Sequence, residues 1–375
     1  MKKDHDVYSV LKMGNKFGLY LPMAPTDIKR GDIVEIIISK GAKTFNYITR
    51  FNKVIALRGE LVNSLNLKHK DDIKLSISKI KPYKKSENLF YKDKIDLLHL
   101  LPNKTSLGYE IICKIFKKDG REWLTLWYSH SRGSCMQINL VRFVDIDKLG
   151  RLLGLFQAEG TKGNFNAVEF ANSSIKEHKD FLDYLNHIGV THDIVSVDCV
   201  YYDQIKEAKE RIKEYENETG IKINNIYSGN ISKYGLGFKF KVRNTVFSNL
   251  ILSSMDKIRR ILINSDWDKN MRSLAEAFFA KLLSGDGNID LDVKDRNIPQ
   301  GRIKITDMNK NYLADYSKLM SKFGFKPTIY EKYIMVRSSF NLPQAKWLLQ
   351  IGAFKKNPNE KKLELFINSR ETPSK

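Results

Sequence analysis

Cysteine is scarce: three residues in 375, far apart at Cys113, Cys135 and Cys199. That spacing builds neither a zinc pattern nor a disulfide framework, which fits a reduced, cytoplasmic protein. Histidine is equally uninformative. His5, His69, His99, His130, His178, His187 and His192 include no HExxH and no paired spacing, so zinc-protease chemistry lacks its ligands and no Ser-His-Asp arrangement suggests itself. The chain has no P-loop and no GxGxxG, which leaves nucleotide hydrolysis and dinucleotide chemistry without support. No run reaches the roughly 18 apolar residues of a membrane span, and Met1-Lys2-Lys3-Asp4 leads into no apolar signal segment. Acids are the scarcer charge: 43 Asp and Glu against 64 Lys and Arg leave a net +21. A surplus of that size speaks of solubility and polyanion affinity, not of a fold. Nucleic acid is the usual partner, although ribosomal RNA or an acidic membrane surface would satisfy the charge equally well. A hydrophobic content of 42% is ample for two or three cored domains at this length.

What is present begins with a repeat. Ile28-Lys-Arg-Gly-Asp-Ile-Val-Glu-Ile-Ile-Ile-Ser39 aligns with Leu67-Lys-His-Lys-Asp-Asp-Ile-Lys-Leu-Ser-Ile-Ser78 at a constant offset of 39. The alternations Val34, Ile36, Ile38 and Ile73, Leu75, Ile77 predict half-buried strands. Each copy follows a strand-like run, Phe17 to Leu21 or Lys53 to Leu57. The pattern resembles the AbrB-type swapped-hairpin domain, normally a DNA-binding homodimer, here with both halves in tandem over residues 1–85. A plain small β-barrel is the alternative. The segment carries 18 basic and 8 acidic residues. Lys79 to Lys94 (KIKPYKKSENLFYKDK) reads as a lysine-rich linker. Strands are expected at Ile111 to Phe116 and Trp123 to Tyr128, around the turn Lys118-Asp-Gly-Arg. Residues 86–147 are otherwise treated as linker and intermediate segment.

Two short apolar helices, each ending in an acid and a glycine, dominate the remainder. They are Arg151 to Gly160 (RLLGLFQAEG) and Phe279 to Gly287 (FAKLLSGDG). Overlaid, Leu152 matches Phe279, Leu155 Leu282, Ala158 Gly285, Glu159 Asp286 and Gly160 Gly287, a separation of 127 positions. Helix periodicity and capping residues predict helices over Ser174 to Ile188, Thr245 to about Ile263, Asn311 to Phe323 and Leu342 to Ile351. Strands are expected at Asn166 to Ala171, Ile194 to Tyr201, Gly237 to Val242, Ile289 to Val293, Arg302 to Thr306, Thr328 to Glu331 and Tyr333 to Arg337. A charged helix near Asp203 to Asn217 reads as an insertion.

The paired motif resembles that of the LAGLIDADG homing endonucleases in their two-motif, single-chain form. The resemblance implies an α+β fold with a duplicated αββαββα domain, repeat 1 over 148–265 and repeat 2 over 266–375. It also implies two motif helices packed together and two antiparallel sheets facing DNA. A monomer acting on double-stranded DNA is expected, with site-specific, metal-dependent cleavage. Glu159 and Asp286 would be the catalytic metal ligands, with Mg2+ or Mn2+ as cofactor. Such acids add negative charge to the negative end of a helix, an arrangement that a divalent cation relieves. Lys162, three residues past Glu159, would stand beside the scissile phosphate; Ile289 occupies the matching place in the second half, with Lys332 as a candidate substitute. The family's earlier acids are replaced by Gln157 and Ser284. Lys281 stands where the first helix has Gly154, a placement expected to hold the helices apart or to send the lysine out of the interface.

Alternating strands supply the DNA surface that the resemblance implies. Lys239, Lys241 and Arg243 alternate with Phe238, Phe240 and Val242; Arg302 and Lys304 alternate with Ile303 and Ile305. One apolar and one cationic face are expected on each sheet, with Asn164, Asn166, Arg296, Gln300, Lys332 and Arg337 on the same surface. LAGLIDADG domains also serve as transcription regulators and RNA maturases, so a catalytically silent binding protein is the rival expectation. Intein splicing signals do not flank the motif domain.

Overall fold

The computed structural model describes residues 6–21, 27–57, 59–80, 83–128, 137–201, 205–228, 237–292, 300–355 and 357–371. They fall into two compact units.

The first unit takes the chain to Lys84 together with Asn103–Phe116 and Thr125–Gln137. Its strands are β1 Asp6–Met13, β2 Lys16–Tyr20, β3 Ile33–Lys40, β4 Lys43–Arg50, β5 Val54–Leu57 and β6 Asp72–Lys79, with helix α1 Gly59–Ser64 between the last two. They form one six-stranded sheet in the order β4-β3-β6-β1-β2-β5. The 39-residue offset carries β3 onto β6, and these two neighbouring interior strands pair antiparallel, with Ile36 opposite Ile77. The alternation buries what it should: Val34, Ile36, Ile38, Ile73 and Leu75 join Val10, Leu19 and Leu61 in one core. The turns before β3 and β6 are also copies. Asp32 Oδ2 accepts from the Lys29 amide at 2.8 Å and Asp71 Oδ2 from the Lys68 amide at 2.5 Å. Each aspartate then meets the lysine of the other copy, Lys79 with Asp32 at 2.7 Å and Lys40 with Asp71 at 2.6 Å. Hydrogen bonds from those lysines hold both carboxyls below the usual range.

The chain passes from the first unit to the second between Lys84 and Lys85, next to the boundary expected at residue 85, but it returns to the first unit over Asn103–Phe116 and Thr125–Gln137. β7 Phe90–Tyr91, β8 Lys94–Asp96 and α2 Leu97–Leu100 are followed by β9 Ile111–Lys118 and β10 Arg121–Tyr128, and parts of this last hairpin belong to the first unit. The reason is apolar surface. Ile112 and Trp127 cover Ile48, Ile33 and Ile80, and Lys114 pairs with the buried Glu35 at 2.5 Å.

The second unit holds Lys85–Pro102, Lys117–Leu124 and everything from Ile138. β11 Ile138–Val141 and β12 Phe143–Asp145 lead into the first motif helix, α3 Ile146–Glu159. Asp145 caps α3 by accepting from the Lys148 amide at 3.1 Å. Then come β13 Val168–Asn172, α4 Ile175–His187, β14 Val195–Tyr201, α5 Ile205–Thr219, β15 Ile223–Ser228, β16 Gly237–Val242 and α6 Thr245–Asn264. The second motif helix, α7 Lys269–Asp286, is capped by Asp268 accepting from the Met271 amide at 2.7 Å. It is followed by β17 Gly287–Asp292, β18 Gln300–Thr306, α8 Lys310–Lys322, β19 Thr328–Tyr330, β20 Met335–Phe340, α9 Leu342–Gln350 and α10 Pro358–Glu371.

Two four-stranded sheets result, β13-β16-β14-β15 and β17-β18-β20-β19. The stretch after α3 departs from the expected αββαββα order: a single described strand separates α3 from α4, and β15 is an added strand. β15 runs parallel to β14, a connection that needs a crossover, which the charged helix α5 supplies. Sequence pattern missed β15 because it lies largely exposed at a sheet edge and so carries no apolar alternation. α10 was also unread.

Candidate functional site

The site is built by the packing of α3 on α7. Small residues let the backbones approach. A β-carbon added at Gly154 would lie 2.2 Å from the Phe278 carbonyl oxygen, and one at Gly150 would lie 2.8 Å from the Ala277 Cβ. Near the C-terminal ends, one at Gly285 would lie 2.4 Å from the Ala158 Cβ. Gly150 and Ala277, and again Ala158 and Gly285, are each 127 positions apart. Residues at matching places on the two helices therefore face one another across the contact, as around a two-fold axis.

Lys281 does not do what its place in the sequence suggested. It neither props the helices apart, since Phe278 is what faces Gly154, nor reaches out to solvent, being buried at 4% exposure. Its ammonium turns to α4 and meets Asp180 at 2.6 Å and Glu177 at 2.9 Å, above the Tyr184 ring. A buried cation with two carboxylate partners is a compensated one.

Glu159 and Asp286 end these helices. The glycines after them are not left-handed stops: Gly160 has φ −80° and Gly287 φ −89°. Glycine is needed there for space, since a β-carbon would meet the Phe156 ring at 2.3 Å or the Leu283 carbonyl oxygen at 2.4 Å. The Glu159 Oε1 lies 3.3 Å from where a Gly285 β-carbon would stand, one residue from Asp286. Burial raises the Glu159 carboxyl, Glu177 adds to the rise and Lys162 opposes it. Burial likewise pushes Asp286 up to about 7; Lys162 pulls it down, while Glu159 and Asp307 push it further. Among the described residues neither carboxylate accepts a hydrogen bond.

Lys162 reaches towards the second half. Its ammonium is 3.8 Å from Asp307 Oδ2 and 5.5 Å from the centre of the Tyr312 ring. Asp307 follows β18, which the pairing of Ile305 with Gly287 carries to the start of β17 beside Asp286. Tyr316 of α8, fully buried, donates its hydroxyl hydrogen to Asp307 Oδ2 at 2.9 Å and accepts from Gln157 Nε2 at 2.9 Å. Sequence reasoning missed Asp307 and Tyr316. Gln157 was noticed only as the loss of an acid.

The cations expected on the sheet faces are present, but the faces are not purely cationic. Lys239 pairs with Glu169 at 3.0 Å and Lys241 with Asp198 at 2.9 Å. Arg302 meets Asp292 at 3.4 Å, and Asp290 lies 3.2 Å from Lys304 and 3.9 Å from Arg337. Counting Arg243, which is exposed just past the end of β16, three of these cations stand against two acids at each sheet among the described residues. The acids come from neighbouring strands, so reading one strand at a time overlooked them. Asn164 spends its side-chain oxygen on the Asn166 and Ala167 amides, closing a loop. Asn166 and Lys332 are exposed, the latter in a 3-10 turn after β19 rather than on a strand. Arg296 lies outside the described residues. An open concavity of about 510 Å³ on the second sheet is lined by Asp290, Asp292, Arg302, Arg337 and Lys362 of α10; the sequence reading had not picked out Lys362.

Among the described residues no three His, Cys, Asp or Glu side chains group together as a metal cage, and no helix is long and apolar enough to cross a membrane. No curated protein matches the chain. Its structure is similar to the I-LtrWI LAGLIDADG homing endonuclease bound to target DNA, at 12% identity and TM-score 0.31, covering 61% of this chain and 92% of that one. It is also similar to a point mutant of I-SmaMI, at 9% identity and TM-score 0.24, covering 60% and 99%. Residues 273–343, which run from within α7 to the start of α9, match the model of the LAGLIDADG-like domain. Through that match the chain is identified as carrying a LAGLIDADG-like domain, the family to which its paired motif pointed.

Proposed function

We propose that the protein is a DNA endonuclease of the homing type, cutting both strands of a specific duplex site by metal-dependent phosphodiester hydrolysis. The observation that carries this reading is the pair Glu159 and Asp286: two desolvated carboxylates at the ends of tightly packed helices, neither with a hydrogen bond among the described residues. Their chemistry fits Mg2+ or Mn2+. The donors are hard oxygens, and two protein carboxylates leave room for the waters and phosphate oxygens that Mg2+ retains. When bound, such an ion supplies a nucleophilic water and charge stabilisation of the leaving oxygen. Lys162 would neutralise charge building on the phosphate next to Asp286. The sheet residues Lys239, Lys241, Arg243, Arg302, Lys304 and Arg337 would grip the backbone and read base edges, exchanging their carboxylate partners for phosphates. The first unit, read as AbrB-like from its 39-residue repeat and reciprocal Asp–Lys pairs, would add a second contact with duplex DNA.

A second reading, a binding protein without cleavage, draws support from the single motif lysine and the acids on both sheets. The two separate in one experiment. Selection on a randomised duplex library yields a bound site, and that site is incubated with Mg2+ or Mn2+. Double-strand breaks lost in Glu159→Gln and Asp286→Asn, with binding retained, support the nuclease. Binding with no nick under either metal supports the regulator.

A further inference from the structure

We propose that Asp307 is the residue that positions Lys162, holding its ammonium between the acid pair and the Tyr312 ring from the opposite half of the unit. The inference rests on the endonuclease reading for what Lys162 then does, and on geometry alone for how it is held. Asp307 is a fixed anchor. Its side chain is only 8% exposed, Oδ1 accepts from the Asn309 amide at 2.8 Å, and Oδ2 accepts from the Tyr316 hydroxyl at 2.9 Å. Tyr316 is fixed in turn by Gln157, two residues before Glu159 on α3. The orientation of Asp307 is thus tied to the first motif helix by two hydrogen bonds in series, one partly buried and one buried.

Lys162 faces that anchor without being locked to it. At 3.8 Å from Oδ2 the ammonium is beyond hydrogen-bond reach, yet close enough for a strong charge interaction in a partly desolvated place. The Tyr312 ring at 5.5 Å supplies a second, non-directional attraction. This arrangement keeps the lysine from collapsing onto Asp286, which would spend the carboxylate on an ion pair. It also leaves the ammonium free to swing to an arriving phosphate. A lysine belonging in sequence to Glu159 is thereby assigned to the Asp286 side.

The position of Lys162 can be read without any cleavage. Reductive 13C-dimethylation keeps the charge on lysines, and the Lys162 signal is identified by its loss in Lys162→Arg. In the full-length protein the Lys162 methyl signal should be shifted and motionally restrained. In Asp307→Asn and in Tyr316→Phe it should move to the free-lysine position and sharpen, while Asp307→Glu should keep most of the restraint. An unchanged Lys162 signal in folded Asp307→Asn overturns the proposal. If that variant does not fold, Tyr316→Phe, which removes one oxygen atom, decides in its place. On a cleavable site Asp307→Asn should lower kcat tenfold or more at unchanged KM. A change in KM alone would count against a role for this lysine in the reaction, whereas a protein that never cleaves but shows the expected signals would keep the anchor and remove the nuclease.

Discussion

At the scale of single residues, the acid pair sets stability against function. Asp286 has a folded-state value near 7 against 3.8 for the free side chain, so the folded protein binds that proton more tightly than the unfolded one. The associated stability is present below about pH 4 and is lost as pH rises towards 7. By neutral pH the charged carboxylate costs the fold on the order of 2–4 kcal/mol, the range allowing for partial solvent access. Asp286→Asn should therefore raise Tm at pH 8 and give no advantage below pH 4, measured by thermal melts across that range. Millimolar Mg2+ should raise Tm of the wild type at pH 8 and leave that of Asp286→Asn nearly unchanged. The two acids were legible in the sequence because their flanks match position by position. Asp307 and Tyr316 were not, because only the long-range register of β17 with β18 and the packing of α8 bring them to Asp286.

At the scale of elements, the contact between α3 and α7 depends on two devices, missing side chains and one compensated charge. Gly154→Ala would drive a methyl into the Phe278 carbonyl and should destabilise by about 1–3 kcal/mol, the usual cost of overpacking. Lys281→Met keeps the apolar stem and leaves Glu177 and Asp180, among the described residues, with only the more distant Lys176, at 3.8 Å and 3.6 Å. Burial opposes ionisation of Asp180, but Lys281 and, behind it, Lys176 together outweigh it and hold the carboxyl below its usual range; the stabilisation is present above pH 4 and lost as pH falls further. Lys281→Met should thus destabilise by roughly 1–3 kcal/mol at pH 7, less than a fully buried pair would lose, and by much less at pH 3. Chemical denaturation at the two pH values checks both the size and the sign. Most elements were legible from alternation and capping, as in β3, β6, β16 and β18. β15 was not, since an exposed edge strand made parallel by a crossover helix leaves no periodic trace, and Lys281 misled because its partners lie a hundred residues upstream.

At the scale of the whole molecule, charge and connectivity decide what can be removed. With a net +21, affinity for duplex DNA should fall steeply with salt, each neutralised phosphate contributing about −0.9 to the slope of log affinity against log salt. The acids seated among the sheet cations temper this. Asp290→Asn, which releases Lys304 and Arg337, should strengthen non-specific binding and steepen the slope; a titration from low to high salt reads both, and an unaltered slope would place those cations off the DNA path. A chain begun at Ser86 should expose Ile112 and Trp127, which pack on Ile48 in the intact protein, and aggregate where the full chain does not. The interruption at residues 103–137 was illegible because a lysine-rich run looks like a linker whether or not the chain returns to the sheet it has left. The helix contact has a further consequence. Gly150 with Ala277 and Ala158 with Gly285 would survive an exchange of the two motif helices, since each residue would simply meet its former partner from the other side. Gly154 and Lys281 would not: the lysine would arrive against the Phe278 position and the glycine opposite Glu177 and Asp180. The halves still close on one another like mirror-cut keys, yet they have ceased to be spare parts for each other, and a recombined chain built from two copies of either half should fail to fold as this one does.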